Sequence, residues 1–380
     1  MAYPVSLSYC TSYCPELVAE ALQRLLEPLG GMAAFVKPGM RVLLKPNMLA
    51  GKPPEAAVTT HPVLVAAVVR QVRDCGGIAL VGDSPGIGGF AAVANRTGIG
   101  PAAVASGASL VPFEETVRVA GQGVFKQLEV AKVYYEADLV INLPKLKTHE
   151  MMGMTAAVKN LYGAVVGAAK VAHHLTAGHD RSLFAGLLLE IAAARPVALS
   201  IVDAVVGMEG NGPNSGTPRS VGLLLAGTEP LAVDLVAADL IGLPEHLRFQ
   251  EQEARRRGIL AVDPGMIERV GEASAATLLR PFTLPESHDL QFGLPRWLRP
   301  LARRFLSPLP QADPERCISC GICRDACPPQ AITITNNALK VASGRCIRCW
   351  CCRELCPHHA LQVKQGALVH LLGRLTGTTA

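Results

Sequence analysis

Nine of the twelve cysteines in this 380-residue chain lie within one 40-residue window near its end. The window contains two segments, 317–328 and 346–357, that repeat at an offset of 29 residues, and each reads C-x2-C-x2-C-x3-C-P. A loop with two-residue gaps is tight enough to direct three thiolates at one iron–sulfur cubane, and the fourth cysteine points towards a second cubane. The spacing therefore predicts two [4Fe–4S] clusters.

The register of the repeat assigns each cysteine to one cluster. The first cluster is predicted to bind Cys317, Cys320, Cys323 and Cys356. The second cluster is predicted to bind Cys346, Cys349, Cys352 and Cys327. The ninth cysteine, Cys351, aligns with Ile322. We interpret Cys351 as a small apolar side chain that packs beside the cluster and is not a ligand.

Eight thiolates could instead hold two tetrahedral zinc ions. Zinc sites usually draw their ligands from two separate C-x2-C pairs, whereas each segment here places three cysteines on one turn, which favours iron–sulfur clusters. Residues 314–366 resemble bacterial-type two-cluster ferredoxins throughout. The resemblance implies a small α+β domain that carries the two clusters.

The overall composition restricts the class of protein. Apolar residues make up 49% of the chain and charged residues 18%, which is sufficient for a sizeable core and argues against disorder. Aromatic residues are only 4% and the net charge is +5, so nothing indicates a nucleic-acid partner. Apolar runs are too short for a transmembrane helix, and the first residues lack a signal-peptide pattern. We therefore expect a cytoplasmic protein without membrane insertion.

Residues 1–291 predict a large α/β domain. Short apolar strands are predicted at 42–45, 78–81, 139–143, 197–202 and 221–226. Helical patterns are predicted at 63–72, 90–96, 154–166, 182–194, 231–241 and 246–257. Strands that alternate with helices indicate a mostly parallel sheet that is covered on both faces.

Residues 292–313 are rich in Pro and Arg and are predicted to form a linker, and residues 367–380 are predicted to form a loosely ordered tail. Within the linker, residues 296–306 could form a short basic amphipathic helix. We interpret this stretch as a helix that packs on the large domain, because prolines interrupt it. The alternative interpretation is a segment that docks on a membrane surface or a partner.

Polar motifs follow several of the predicted strands. They contain the candidate site residues Lys45, Asp83, Lys145, Lys147, His149 and Asp203. Sites in parallel α/β sheets form beyond the carboxyl ends of the strands, so these side chains are expected to converge. Lysines and a histidine within 145–149 suit an anionic group, either phosphate or carboxylate. The two aspartates could transfer a proton or hold a divalent cation. Solvated lysines and simple turns would give a similar pattern without any site.

The same motifs resemble the domain of unknown function 362 family. The matching segments are LLKPN, TTHP, VGDSPG, LPKLKTH, VKNLYG, GMEGNGPNSG and LAGTEPLAVD, in that order over residues 40–240. Glu229 stands where the family pattern leads us to expect Asp. Members of this family often carry a ferredoxin module, and the name of the family implies no activity.

These observations support three hypotheses. In the first, the protein is a ferredoxin-coupled oxidoreductase. Its lysines and His149 bind and polarise a small anionic substrate, an aspartate handles a proton or a metal, and the clusters transfer electrons to or from this domain, with a redox protein as partner. In the second, the protein is a non-catalytic electron-transfer or maturation partner. In the third, it is a non-redox enzyme whose clusters stabilise the fold or sense redox state.

Overall fold

The structure is a computed structural model, and it describes residues 2–123, 125–178, 180–259, 263–277, 280–285 and 308–364. The chain divides into two compact units. The first, here called the α/β unit, comprises Met1–Lys170 and Arg181–Leu284. The second, here called the cysteine-rich unit, comprises Val171–Asp180 and Pro285–Ala380. Most of the predicted linker, the amphipathic stretch within it and the predicted tail lie outside the described residues.

The strands of the α/β unit are β1 (Tyr3–Tyr9), β2 (Arg41–Pro46), β3 (Ile78–Val81), β4 (Ser109–Leu110), β5 (Thr116–Ala120), β6 (Gln127–Ala131), β7 (Leu139–Leu143), β8 (Lys145–His149), β9 (Gly153–Thr155), β10 (Leu199–Glu209), β11 (Thr217–Gly227) and β12 (Ile267–Val270). Ten of them form one sheet, and β5 and β6 form a separate two-stranded sheet. The main order is β12-β1-β11-β10-β7-β2-β3-β4, with β8 paired to β10 and β9 paired to β8.

The described helices are α1 (Pro15–Leu26), α2 (Pro62–Asp74), α3 (Phe90–Arg96), α4 (Ile99–Ala105), α5 (Lys132–Glu136), α6 (Ala157–Asn160), α7 (Ala168–Ala177), α8 (Arg181–Ala194), α9 (Pro230–Leu240), α10 (Phe249–Arg256), α11 (Ile322–Asp325) and α12 (Cys351–Glu354). Helices α1 and α2 share one core cluster with side chains of β2 such as Val42 and Leu44. Leu43 lies between those two residues and is also fully buried. Since successive side chains of a strand point to opposite faces, both faces of the sheet are covered.

The predicted α/β fold with a mostly parallel sheet is confirmed. Strands β10, β7, β2, β3 and β4 are parallel neighbours, whereas β11 runs antiparallel to both β10 and β1. The helix predicted at 154–166 is wrong at its start, because Gly153–Thr155 forms β9 and the helix begins only at Ala157. The Asp234 side chain accepts hydrogen bonds from the backbone N–H groups of Ala157 and Val158, and these bonds fix where α6 begins.

The strand predicted at 139–143 is confirmed as β7, but a further strand that the sequence analysis did not predict, β8, follows directly after Pro144. β7 stops at Leu143, and β8 resumes at Lys145 beside the same neighbour, β10. The backbone N–H of Asp203 in β10 donates to the Pro144 carbonyl at 2.8 Å. Pro144 accepts through its carbonyl and has no N–H group to donate. Pairing with β10 therefore resumes directly after it and brings Lys145 and Lys147 into the sheet.

The cysteine-rich unit contains the strands β13 (Leu309–Ala312), β14 (Ile332–Thr335), β15 (Ala338–Val341) and β16 (Leu361–Lys364), together with α11 and α12. β13 pairs antiparallel with β16, and β14 pairs antiparallel with β15. β13 lies before residue 314, where the ferredoxin-like domain was predicted to begin, and it pairs with β16. The repeated unit therefore begins earlier than the cysteine spacing indicates. Among the described residues, no helix is both long and apolar enough to cross a membrane.

We predict that the Asp234 carboxyl makes stability fall as pH rises. Burial raises the pKa of Asp234 to about 7, above its value of about 3.9 in an unfolded chain, although two backbone N–H donors oppose the shift. A carboxyl with a raised folded pKa contributes stability below its unfolded pKa, and that contribution is lost as pH rises through about 7. Denaturant unfolding of the wild type and of Asp234→Asn between pH 4 and 8 measures this. The stability advantage of the wild type should shrink with rising pH, and an advantage that grows would contradict the assignment.

Candidate functional site

The predicted site residues lie on neighbouring parallel strands of the α/β unit. Lys45 is the penultimate residue of β2, opposite Asn142 in β7, and Lys145 begins β8, opposite Asp203 in β10. Asp83 lies two residues beyond the end of β3. The carboxyl ends of adjacent parallel strands meet at one edge, so the sheet brings these side chains into one region, as expected. Lys45, Lys145 and Asp203 are at most 1% exposed.

The first ion pair joins Lys145 and Asp203. The Lys145 Nζ lies 2.9 Å from Asp203 Oδ2, and it also donates to the Tyr13 hydroxyl at 2.7 Å. That hydroxyl donates in turn to Asp203 Oδ1 at 2.7 Å, and the backbone N–H of His61 donates to Asp203 Oδ2 at 2.8 Å. Both carboxylate oxygens of Asp203 therefore have donors, and the pair forms a closed buried network.

The rings of Tyr13 and His61 stack against each other beside this pair. Their centroids are 3.5 Å apart and their planes differ by 7°. Burial raises the pKa of Tyr13 far above its usual range, and burial lowers the pKa of His61 to about 4. Both rings are therefore neutral at pH 7. The His61 Nδ1 accepts from Val63 N–H, which places the ring proton on Nε2.

The second ion pair joins Lys45 and Asp83. The Lys45 Nζ lies 2.8 Å from Asp83 Oδ1, but the contact lacks hydrogen-bond alignment. The other oxygen of Asp83 accepts from Met48 N–H at 2.9 Å. A side chain on Gly163 would collide with both Asp83 Oδ1 and Lys45 Nζ, so only glycine allows the backbone to pack directly on this pair.

Asparagine side chains connect the strands that carry the lysines. Asn47 donates to Asn160, which donates to Asn142 and to the Lys45 carbonyl. The Lys147 Nζ donates to Asn47 Oδ1 at 2.9 Å and to the Val58 carbonyl at 2.7 Å. Lys147 is thereby held beside the two ion pairs through neutral oxygen atoms.

A further lysine, Lys170, reaches the glycine-rich loop that carries Asp83. Its Nζ donates to the Ser84 carbonyl at 2.6 Å and to the Ser84 hydroxyl at 3.1 Å. Burial lowers the pKa of Lys170 to about 8, with the attraction of Asp83 opposing the shift and the repulsion of Lys45 and Lys159 adding to it. Lys170 and Tyr13 were not predicted from the sequence, because neither residue lies in a motif at a strand end.

His149, a predicted site residue, and Glu209 of β10 both make contacts outside the two ion pairs. The His149 Nδ1 accepts the backbone N–H groups of Met151 and Met152, so its ring shapes the turn after β8. Glu209 pairs with Arg219 at 2.8 Å and accepts from Thr283 N–H. Burial would raise the pKa of Glu209, but these donors outweigh it and hold the pKa below its usual value.

The cysteine-rich unit contains two cavities, of about 350 and 330 Å³ including space open to solvent. The cysteines that line the first are Cys317, Cys320, Cys323 and Cys356. The cysteines that line the second are Cys327, Cys346, Cys349 and Cys352. Each cavity is thus lined by three cysteines from one segment and one from the other. Among the described residues no three His, Cys, Asp or Glu side chains converge as they would around a single metal ion.

The backbone conformation repeats at the same 29-residue offset as the cysteines. Positive φ angles occur at Ser319 and Arg348, at Gly321 and Trp350, and at Gln330 and His359, each pair 29 residues apart. The Cys327 Sγ accepts from Ala331 N–H at 3.2 Å, and the Cys356 Sγ accepts from Ala360 N–H at 3.3 Å. The two cavities are therefore built by two copies of one loop-and-helix unit.

The electrostatic environment of the thiols follows the same grouping. Burial raises the pKa of Cys323 to about 11, and its neighbours Cys356, Cys317 and Cys320 raise it further. Burial likewise raises the pKa of Cys352, chiefly with Cys349, Cys346 and Cys327 as neighbours. The buried Cys351 lines neither of these two cavities, and its Sγ contacts the Cys349 carbonyl at 3.9 Å.

Comparison with known proteins agrees with these features. A family model described as a domain of unknown function (DUF362) matches residues 42–239, and a model described as a 4Fe-4S binding domain matches residues 310–333. A thylakoid-associated protein of Synechocystis sp. is 40% identical over 308 residues, which cover 80% of this chain and 95% of the relative. A solved structure, the lactate racemase apoprotein from Thermoanaerobacterium thermosaccharolyticum, is 14% identical with a TM-score of 0.42, over 63% of this chain and 56% of that one.

The packing of Gly163 on the Lys45–Asp83 pair gives a direct prediction. Gly163→Ala should lower the free energy of unfolding by about 1–3 kcal/mol, because the pair must move away from the backbone. Gly89→Ala is the matched control, since a Cβ at Gly89 meets nothing within 4 Å and should cost less than about 1 kcal/mol. Denaturant unfolding monitored by circular dichroism measures both. Equal effects would show that the ion pair does not depend on Gly163.

Proposed function

Since the chain belongs to the DUF362 family and carries a 4Fe-4S binding domain, we propose that it is a redox protein with two [4Fe–4S] clusters. We further propose that the clusters transfer electrons to or from an α/β domain that binds a small anionic substrate. The observation that carries the proposal is the pair of cavities, each lined by four cysteines with one exchanged between the two segments.

The cysteine-rich unit fits the clusters in several ways. The four thiols around each cavity are the complete ligand set of one cubane. Backbone N–H groups of Ala331 and Ala360 donate to Cys327 and Cys356, and such bonds favour the thiolate and tune a cluster's potential. Burial, and then the charge of the neighbouring cysteines, raises the pKa of Cys323 and of Cys352, and bound iron would supply the positive charge that favours their thiolates. When bound, the clusters supply one-electron transfer.

The metal content tests the two-cluster proposal. Anaerobically purified protein should contain about eight irons and about eight acid-labile sulfides per chain. Cys320→Ala and Cys349→Ala should each remove about four irons, because each removes a ligand from a different cubane. Cys351→Ala is the matched control and should keep about eight irons. Wild-type protein with about four irons would reduce the proposal to one cluster, and protein with zinc alone would overturn it.

The anionic substrate is supported by the charges at the strand ends. Lys45 and Lys145 are balanced by Asp83 and Asp203, and Lys147 and Lys170 lie in the same region. In this set, four lysines stand against two aspartates. Cations in a buried region attract an anion more strongly than they would in water, because the local dielectric constant is low. A cytoplasmic location and a redox protein partner stay predictions.

Co-purification tests the substrate and the electron transfer together. Protein purified anaerobically, then denatured, should release a small anionic molecule that mass spectrometry can identify. Lys147→Ala should release less of it with unchanged iron–sulfur absorbance, and Lys132→Ala, which alters an exposed lysine, should behave as wild type. Added back, the molecule should either restore the absorbance of the oxidised clusters in dithionite-reduced protein or bleach that absorbance in oxidised protein. Release of only neutral or cationic molecules would contradict the anion site, and no absorbance change in either experiment would contradict the redox role.

A further inference from the structure

We propose that Lys45 and Lys170, together with the Ser84 hydroxyl, form the subsite that binds the oxyanion group, carboxylate or phosphate-like, of the substrate. This inference rests on the proposed function and specifies which of the buried cations contact the ligand. It distinguishes Lys45 from Lys145, which have the same residue type, the same position at a strand end and the same kind of aspartate partner.

The two buried lysines, Lys45 and Lys145, differ in their hydrogen bonding. Lys145 donates to Asp203 and to Tyr13, and the pair is closed by further donors to Asp203. Within the described part of the chain, the Lys45 Nζ has its ion-pair contact with Asp83 and no aligned hydrogen bond. A buried ammonium carries three N–H donors, and leaving them without acceptors is costly. Among the described residues, Lys45 thus contacts one acceptor, Asp83 Oδ1, for its three N–H donors, whereas Lys145 has two acceptors.

Lys170 lies close to the Lys45–Asp83 pair, because it binds the next residue along the chain. Asp83 and Ser84 are consecutive, so the lysine that binds Ser84 lies next to the residue that binds Lys45. Tyr162 donates to the Lys170 carbonyl at 3.1 Å, and Gly163 packs on the Lys45–Asp83 pair, so adjacent residues hold both lysines. Two ammonium groups and a hydroxyl are thereby grouped around one carboxylate.

The Lys170 ammonium has neutral hydrogen-bond acceptors. Its ammonium donates to neutral oxygen atoms of Ser84, which an anion can replace without breaking an ion pair. The charged groups that act on it are Asp83, Lys45 and Lys159, two of them cations, and the Lys159 Nζ lies 5.9 Å from the Tyr162 ring centroid. An oxyanion that accepted from Lys170 and Lys45 would relieve this repulsion. It would replace hydrogen bonds from the ammonium to neutral oxygen atoms by hydrogen bonds to an ionised acceptor.

Calorimetric titration of the full-length, cluster-loaded protein with sulfate and with acetate tests the subsite, because neither probe titrates between pH 6 and 9. Wild-type protein should bind at least one of them. Lys170→Gln and the double variant Lys45→Met/Asp83→Asn should each weaken that binding about tenfold or more, the loss expected for one charged hydrogen bond. The double variant avoids a buried unpaired carboxylate. Lys132→Gln is the control and should match wild type.

The pH dependence provides a second readout, which does not need the double variant to fold. Affinity of the wild type should fall as pH rises through about 8, because the Lys170 ammonium loses its proton there, and Lys170→Gln should lack this step. If wild type binds neither probe, the anionic substrate itself is contradicted. If wild type binds but the variants bind equally well with the same pH profile, the subsite is wrong while the proposed function stands.

Discussion

The α/β unit is organised around ammonium groups that have been removed from water. Moving a charge into a protein interior costs several kcal/mol per ion, and loss of one partner from a buried pair costs about 3–5 kcal/mol. Lys45 and Lys145 are buried completely or nearly so, and each has an aspartate within 3 Å. The surrounding backbone is therefore constrained, because it must supply a counter-charge and hydrogen-bond partners at defined positions.

The sequence motifs can be understood through this constraint. The segment after β2 supplies Asn47, which binds Lys147. The TTHP segment supplies a backbone donor to Asp203 and a ring that stacks on Tyr13. The VKNLYG segment supplies Asn160, which connects β2 and β7, and Gly163, which packs on an ion pair. Segments that look unrelated along the chain thus contribute parts of one buried network.

Much of the fold could be predicted from the sequence, because its signals are local. The alternation of apolar strands and helices identified β2, β3, β7 and α8 within a residue or so, and the cysteine repeat carried its own register. β1 and α1 were not predicted, because no strand or helix pattern was assigned before residue 42. β8 was not predicted, because the strand was expected to end at Pro144. The convergence of Lys45, Asp83, Lys145 and Asp203 followed from the rule for parallel strands.

The partners of those residues could not be predicted in the same way. Tyr13 lies 132 residues from Lys145, and Lys170 lies 86 residues from Ser84. No spacing in the sequence encodes such contacts, which depend on how helices and loops fold over the sheet edge. The sequence could therefore indicate that lysines and aspartates meet. Only the structure shows that both carboxylate oxygens of Asp203 have donors, and that Asp83 is the one acceptor in contact with Lys45 among the described residues.

The proposed redox role gives these buried cations a physical purpose. Transfer of an electron to an anion adds negative charge to a group that is already negative, so the reduced state is costly unless cations stand nearby. Fixed ammonium groups in a low-dielectric region stabilise developing charge without reorganising, which is the most effective form of electrostatic assistance. Asp203 holds Lys145 within the fold, whereas in our proposal Lys45 and Lys170 donate to the ligand. The same burial that makes the lysines costly to the fold would then make them effective towards a substrate.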